Sequence, residues 1–123
     1  MTYPQTPSTI YIGMRGKRGE LIKGSVEHII LFLLSKKPMH GYLILKELER
    51  RSGGYFKLSE GTIYPTLHRL EMEGLIEGRW ERGPQGLERK VYSLTPKGLK
   101  VLEGREREWR GFIRALNMVF GEG

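Results

Sequence analysis

The sequence of 123 residues contains no cysteine and no aspartate, because all fourteen of its acidic residues are glutamate. Without cysteine, the chain has no disulfide framework, no thiolate nucleophile and no zinc–thiolate site. Without aspartate, it has no aspartate-based catalytic triad, no EF-hand calcium loop and no aspartate ligand for a nucleotide-bound magnesium ion. These two absences exclude several large classes of enzyme and of metal site.

The usual catalytic motifs are also missing. The histidines His28, His40 and His68 are scattered and form no H-E-x-x-H spacing. No G-x-S-x-G nucleophile elbow and no G-x-x-x-x-G-K-[ST] phosphate loop occurs. We therefore expect no enzyme activity, no cofactor and no metal site, and we expect His28 to have a structural role.

No segment of the sequence has the length and apolarity of a membrane span. The longest apolar run, Ile29–Leu34, is far too short to cross a bilayer. The first residues of the sequence also lack the apolar core of a signal peptide. We therefore expect a soluble protein in the cytoplasm.

The charge of the chain is strongly positive. Lysine and arginine number 21 against the 14 acidic residues, which gives a net charge of +7. A small basic domain typically binds nucleic acid or an anionic membrane, although many basic proteins bind neither. Charge alone leaves these three alternatives open.

Hydrophobic periodicity predicts three helices, a β-hairpin and a long final helix, in that order. The first helix is expected after an N-cap at Ser25, and Pro38 follows its end. The second begins at His40 or Gly41, with Tyr42, Leu45 and Leu48 on one face. The pattern predicts an α+β fold that is mostly helical. Its parts are a flexible basic N-terminal arm at 1–24, a winged helix-turn-helix domain at 25–95 and a C-terminal dimerisation helix at 96–123.

The N-terminal arm contains one segment, Thr9–Ile12, with the composition of a short extended piece. The arm also carries a basic stretch at Arg15–Gly19. Basic arms of some regulators reach DNA, whereas others are solvated tails, and the sequence does not distinguish the two.

The third helix is expected to begin after an N-cap at Ser59 and to end at Gly74. If Ile63, Leu67 and Leu70 are its buried stripe, the residues left for solvent are Thr62, Tyr64, Pro65, His68 and Arg69. In a helix-turn-helix this element enters the major groove with its N-terminal residues against base edges. Pro65 either bends the helix beside the small Gly61 or lies in a first turn capped by Thr62.

The predicted hairpin has two strands, one on each side of a Gly/Pro turn, and it carries several cations: Arg79, Arg82, Arg89 and Lys90. A basic hairpin after a recognition helix can lie along the phosphates and the minor groove. Basic hairpins are also common as solvated sheet edges. The neighbouring helix favours DNA binding.

Three runs of the sequence resemble the PadR family of bacterial and archaeal repressors. They are Pro38-Met39-His40-Gly41-Tyr42, the run Ser59–Glu71 and the run Arg89–Thr95, and the central run fits the specific string G-T-[IL]-Y-P-x-L-x-R-L-E. The resemblance covers about residues 25–100. The chain lacks a long C-terminal extension and so is similar to the short branch of the family. Residues 1–24 are not part of the shared pattern.

The resemblance implies a dimeric winged-helix repressor that small molecules release from its operator. Double-stranded DNA with a pseudo-palindromic operator is therefore the expected partner. The positions expected at DNA, from the resemblance together with the exposed faces described above, are Tyr42, Ser59, Thr62, Tyr64, His68, Arg69, Arg79, Arg89 and Lys90. The alternative is a winged helix used for non-specific DNA or chromatin binding, or for protein contact.

The final helix carries apolar residues at alternating spacings of three and four, as in a heptad repeat. The seam comprises Leu99, Leu102, Trp109, Ile113, Leu116 and Phe120, and Glu106 interrupts it. This helix packs either on its own domain or on a second copy, and Val101, Phe112 and Val119 widen the stripe in favour of a second copy.

Trp109, in the middle of the seam, is either a core residue or a surface on which a flat ligand stacks. Family members that bind effectors use aromatic residues of this helix in a pore at the dimer interface. The resemblance therefore implies Trp109, Phe112 and Ile113 as candidate effector-binding residues.

Overall fold

The structure is a computed structural model that describes residues 10–11 and 16–121, with side chains from Gly24 onward. The elements within these residues follow in chain order: β1 (Ile10–Tyr11), α1 (Gly16–Leu34), β2 (Met39–His40), α2 (Gly41–Arg51), β3 (Phe56–Lys57), α3 (Glu60–Met72), β4 (Ile76–Arg82), β5 (Glu88–Leu94) and α4 (Pro96–Val119). The predicted order of three helices, a hairpin and a long helix is confirmed, as is the mostly helical α+β class.

The predicted start of the first helix is wrong. Helix α1 begins at Gly16, so Ser25 lies in the helix interior and is not an N-cap. The residues from Lys17 to Lys23 include several good helix formers, and these continue the helix toward the N-terminus despite Gly19. Residues 16–24 of the predicted arm are therefore helical, while residues 1–9 and 12–15 lie outside the described residues.

Helix α1 supplies the centre of the hydrophobic core. Val26, Ile30 and Leu31 are completely buried. Helix α2 contributes Ile44 and Leu48, and Gly41 is also buried on this face. The predicted core face of α2 is thus partly wrong, because Tyr42 is 52% exposed and Ile44 occupies the buried position.

Helix α3 ends as the sequence predicts. Gly74 adopts a φ of 78°, which lies in the left-handed region that favours glycine. The amide of Leu75 then donates to the carbonyl of Leu70 at 3.0 Å, so the chain turns sharply into β4. Pro65 is the sixth residue of α3, whose N-cap is Ser59, so it does not lie in a first turn capped by Thr62. The carbonyl that its missing amide leaves without a helical hydrogen bond is that of Gly61, four residues earlier.

The hairpin belongs to a three-stranded antiparallel sheet in the order β2-β5-β4. Strand β2, which the sequence pattern did not reveal, pairs Met39 with Tyr92 and His40 with Val91. A two-residue strand is too short for a recognisable alternation of polar and apolar residues. It attaches the base of the hairpin directly to the start of α2.

Strand β1 confirms the short extended piece expected near residue 10. It pairs in parallel with β3, Ile10 opposite Phe56 and Tyr11 opposite Lys57. The N-terminal segment therefore lies against the connection between α2 and α3.

Helix α4 is joined tightly to the base of the hairpin. The Thr95 hydroxyl accepts from the Gly98 amide at 3.0 Å and donates to the Gly74 carbonyl at 2.6 Å. Thr95 is thus the N-cap, with Pro96 at the first helical position, as predicted. Gly98 is buried at this joint, where an added Cβ would overlap the Leu75 carbonyl oxygen.

We expect Gly98→Ala to destabilise the protein by about 1–3 kcal/mol, because the added methyl group forces α4 away from the hairpin base. Gly104→Ala on the same helix is the matched control, since nothing lies within 4 Å of its Cβ position. There alanine should stabilise the helix by about 0.5–1 kcal/mol. Urea unfolding of both variants measures the two effects, and equal stabilities would contradict the tight joint.

Candidate nucleic-acid interface

The inner face of α3 is as the sequence predicts, but its outer face is smaller. Ile63, Leu67 and Leu70 are completely buried. Thr62, which we expected in solvent, is 9% exposed, and its carbonyl accepts from the Thr66 hydroxyl at 3.0 Å. Threonine can turn its methyl group into the core while its hydroxyl bonds to neighbouring groups of the helix. That part of the prediction is therefore wrong.

Tyr64, Pro65 and His68 are exposed along the outer face of α3. Ser59, at the N-cap position, is also exposed, and its hydroxyl donates to that of Thr62 at 3.2 Å. An acid, Glu60, is exposed in the same first turn. The face thus offers an imidazole and a phenol, two groups that hydrogen-bond to base edges or phosphates.

Arg69 does not extend freely into solvent. Its guanidinium group donates to a carboxylate oxygen of Glu27 on α1, forming an ion pair between the two helices. Glu27 was not identified from the sequence, because 42 residues separate it from Arg69. The only trace in the sequence is an acidic residue directly beside the buried stripe of α1.

Tyr64 is held in place although it is 42% exposed. Its ring packs on Gly41, where an added Cβ would lie 2.5 Å from Tyr64 Cε1. Burial and the nearby Glu60 carboxylate raise the pKa of Tyr64, so the phenol keeps its proton. The start of α2 therefore lies directly beside the exposed face of α3.

Tyr42 and His40 are at the same end of α2. Tyr42 is 52% exposed, and Lys46 Nζ is 5.4 Å from its ring centroid. His40 Nδ1 accepts from the Leu43 amide at 3.3 Å as the N-cap. Burial and the charge of Arg89 lower the pKa of His40. His40 also pairs with Val91, which places the hairpin beside the start of α2.

The cationic side chains of the hairpin differ in their exposure and in their ion-pair partners. Arg79, Arg82 and Arg89 are exposed, and Arg79 pairs with Glu77 at 3.2 Å. Lys90 Nζ instead lies 2.9 Å from Glu71 Oε1 on α3, and this hydrogen bond raises the pKa of Lys90. Lys90 therefore attaches the hairpin to α3, a role that the sequence pattern did not indicate.

A second cluster joins α1 to α4. The His28 ring stacks on Trp109 at 6.0 Å, with 20° between the planes, and His28 Nε2 is 3.0 Å from Glu106 Oε1. Burial lowers the pKa of His28 and outweighs the opposing effect of Glu106. Glu106 also pairs with Arg110 at 2.7 Å. His28 is thus a packing residue, consistent with the structural role expected for it.

A groove of about 380 Å³ lies between α1, β3 and α4. Trp109 forms part of it, and Phe112 packs edge-on against Trp109 at 6.2 Å. The remaining lining residues are Ser25, His28, Ile29, Phe32, Phe56, Glu106, Arg110 and Ile113. One wall of the groove is therefore the middle of the predicted seam.

The seam divides into two parts. Leu102 is buried within its own chain, as the own-domain alternative requires. Leu99, in the first turn of α4, is 44% exposed. Farther along, Ile113 and Phe120 of the seam and Phe112 beside it are between 49% and 73% exposed, and Leu116 is half-buried. The later part of α4 therefore presents an apolar face that its own domain does not cover.

The residues with described positions contain no helix long and apolar enough to cross a membrane. The same residues contain no cluster of three or more histidine or acidic side chains placed to hold a metal ion.

Helices α1 to α3 and the hairpin after them form a winged helix-turn-helix, in which α3 has the position of the recognition helix and the hairpin that of the wing. The family model described as the transcriptional regulator PadR-like family matches residues 30–104. The chain therefore belongs to the PadR-like family of transcriptional regulators, and the resemblance seen in the sequence is confirmed.

Relatives and solved structures agree with this assignment. The transcriptional regulator Rv3488 of Mycobacterium tuberculosis is 37% identical over 83 residues, which cover 68% of this chain and 74% of that protein. The negative transcriptional regulator PadR of Bacillus subtilis is 34% identical over 63% of this chain and 42% of its own length. A crystal structure of a PadR-like regulator from Bacillus cereus has a TM-score of 0.73 at 34% identity, covering 82% of this chain and 96% of that one.

Proposed function

We propose that this protein is a homodimeric transcriptional regulator of the cytoplasm that represses transcription by binding a pseudo-palindromic operator, without enzyme activity. The observation that carries the proposal is the surface at the start of α2 and α3, where Tyr64 and His68 are exposed beside a cationic wing. The net charge of +7 favours binding to a polyanion. Repression is proposed because the B. subtilis relative is named a negative regulator.

The two parts of this surface have different proposed roles. His68 can hydrogen-bond to base edges from the exposed side of α3, whereas Arg89 on the wing is placed for phosphates. Tyr42, Ser59, Tyr64 and Arg79 complete the proposed contact surface. Thr62 and Lys90 support it from within the protein, because both bond to neighbouring residues.

A second copy is the proposed cover for the apolar face of α4. Phe112, Ile113 and Phe120 are all about half exposed or more, and a lone terminal helix seldom leaves such a stripe in water. A twofold dimer through α4 would also present two recognition helices to two half-sites about 34–36 Å apart.

An aromatic effector is proposed for the Trp109 groove. The groove has apolar walls from α1 and α4, and a flat ligand there could stack on the indole. Glu106 is already paired with His28 and Arg110, so a cationic ligand would have to compete with them.

The DNA roles predict different effects of two substitutions, measured on DNA selected from a random pool by the unaltered protein. His68→Ala should lose discrimination at one base position, about 1–3 kcal/mol. Arg89→Ala should weaken all sequences equally and lower the slope of log K against log[salt] by about one. Arg50→Ala, at the far end of α2, controls for net charge.

If Arg89→Ala changes the base preference and His68→Ala does not, the roles are reversed. Failure of the unaltered protein to select any sequence would favour non-specific binding or a protein-contact module.

The dimer proposal predicts a melting temperature that rises with protein concentration, because association stabilises the folded chain. Ile113→Glu should abolish that rise and produce a monomer in sedimentation at micromolar concentration, since it places a charge in the apolar face. Ala115→Glu, also exposed on α4 but on its other side, adds the same charge and should leave the dimer intact. A monomeric unaltered protein would contradict the proposal.

The effector proposal predicts that a planar aromatic dye quenches Trp109 fluorescence in a Trp80→Phe background, which removes the exposed tryptophan of the wing. Stacking contributes only about 0.5–1.5 kcal/mol per aromatic pair, so the dissociation constant should be micromolar or weaker. The dye should also release DNA from this protein but not from the Trp80→Phe, Trp109→Ala variant, which controls for binding of the dye to DNA. Unchanged Trp109 emission would make this residue a core residue only.

A further inference from the structure

Glu27 lies where three helices meet. It extends from α1, its side chain is 16% exposed, and its two carboxylate oxygens contact different helices. One oxygen accepts from Arg69 on α3, and the other lies 3.8 Å from Arg105 Nη1 on α4. A single carboxylate thus connects the recognition helix to the helix proposed to form the dimer.

The contact between Glu27 and Arg69 is suited to fixing α3. Helix α1 is rigidly packed at this point, because Val26 and Ile30 beside Glu27 are completely buried. A largely buried carboxylate is costly without a cation, so each partner constrains the other. Arg69 directly follows His68, and a constraint on Arg69 therefore also sets the rotation of α3 that aims His68.

The residue after Glu27 adds a second link to α4. His28 stacks on Trp109 and contacts Glu106. Two consecutive residues of α1 therefore contact the recognition helix on one side and the Trp109 cluster on the other. These contacts form a continuous path from α4 to α3 through one turn of α1.

We propose that Glu27 is a positioning residue for DNA recognition, which holds α3 through Arg69 and makes its position depend on α4. Arg69 then acts through Glu27 and is not an independent base reader, in contrast to the expectation from the sequence. This inference rests on the proposed function, since it assumes that α3 reads DNA.

For Glu27→Gln, a positioning role and a simple charge effect predict opposite changes in affinity for the selected DNA. Glu27→Gln removes one negative charge from a chain of net charge +7, and that change alone should strengthen binding to any DNA. A positioning role predicts the opposite for the selected sequence. The informative quantity is therefore the affinity for the selected sequence divided by the affinity for unrelated DNA. A positioning role lowers this ratio, whereas a change in net charge or a loss of folded protein affects both affinities equally.

The test is a double-mutant cycle of Glu27→Gln, Arg69→Gln and the two combined. Each single variant should lower that ratio about tenfold relative to the unaltered protein. The double variant should lower it by the same total factor of about ten and not by about a hundred, because the two residues act through one contact. Glu47→Gln is the matched control, because Glu47 also bridges two arginines, Arg50 and Arg51, but all three lie on α2. An unchanged ratio for Glu27→Gln, with a reduced one for Arg69→Gln, would overturn the proposal and restore Arg69 as a base reader.

Arg69→Lys provides a second route if Glu27→Gln folds poorly. Lysine keeps the charge that pairs with Glu27, so a positioning role predicts a base preference within about twofold of the unaltered protein. A guanidinium that reads a base in bidentate geometry would not be replaced by lysine. Loss of the base preference in Arg69→Lys would therefore contradict the proposal.

Hydrogen exchange without DNA separates this inference from the proposed function. In Glu27→Gln the amides of α3 should exchange about tenfold faster than in Glu47→Gln, and Arg105→Gln should accelerate them by a smaller factor. Equal exchange in Glu27→Gln and Glu47→Gln overturns the positioning role even if the unaltered protein selects an operator. Failure to select any DNA, with faster α3 exchange in Glu27→Gln, would contradict the proposed function while leaving the helix coupling in place.

Discussion

Burial of the apolar face of α1 is the constraint on which the other elements depend. Val26, Ile30 and Leu31 are removed completely from water, and apolar burial of this kind is the main favourable term in folding. Helices α2 and α4 and strand β5 all pack on α1. The two surfaces with candidate functions, at the start of α3 and along α4, are therefore held by one central helix.

The arginines and lysines of the basic surface have two different roles. Some form ion pairs within the protein, and others are exposed. Arg69 on α3 and Lys90 on the hairpin each bond to a glutamate of another element, Glu27 or Glu71. Arg82 and Arg89 remain exposed for a polyanion. A count of positive charges thus overstates the number available to phosphates, and some of them are used to assemble the surface itself.

The sequence predicted those features that depend on local physical chemistry. The N-cap at Thr95, the left-handed Gly74 and the buried stripe of α3 follow from residue type and spacing alone. What it did not predict depends on distant contacts. Strand β2 exists because β5 is beside it. Helix packing determines two further features, the burial of Thr62 and the pairing of Arg69 with Glu27. Helix α1 begins at Gly16, ten residues before the start at Val26 that an N-cap at Ser25 predicts, because a good capping residue also fits a helix interior.

At Gly98, α4 packs so closely on the base of the hairpin that the two elements are expected to move together as one rigid body. Helix α4 has 24 residues and is therefore about 36 Å long. A tilt of about 5° at its far end moves the opposite end by about 3 Å, close to the rise of roughly 3.4 Å per base pair along one DNA strand. In the proposed dimer joined through α4, a slight change of angle between the two α4 helices would thus be enough to move the two α3 helices out of phase with their proposed half-sites. In that dimer, the close contact that the absence of a side chain at Gly98 permits would convert a small change of helix angle into a shift of binding register.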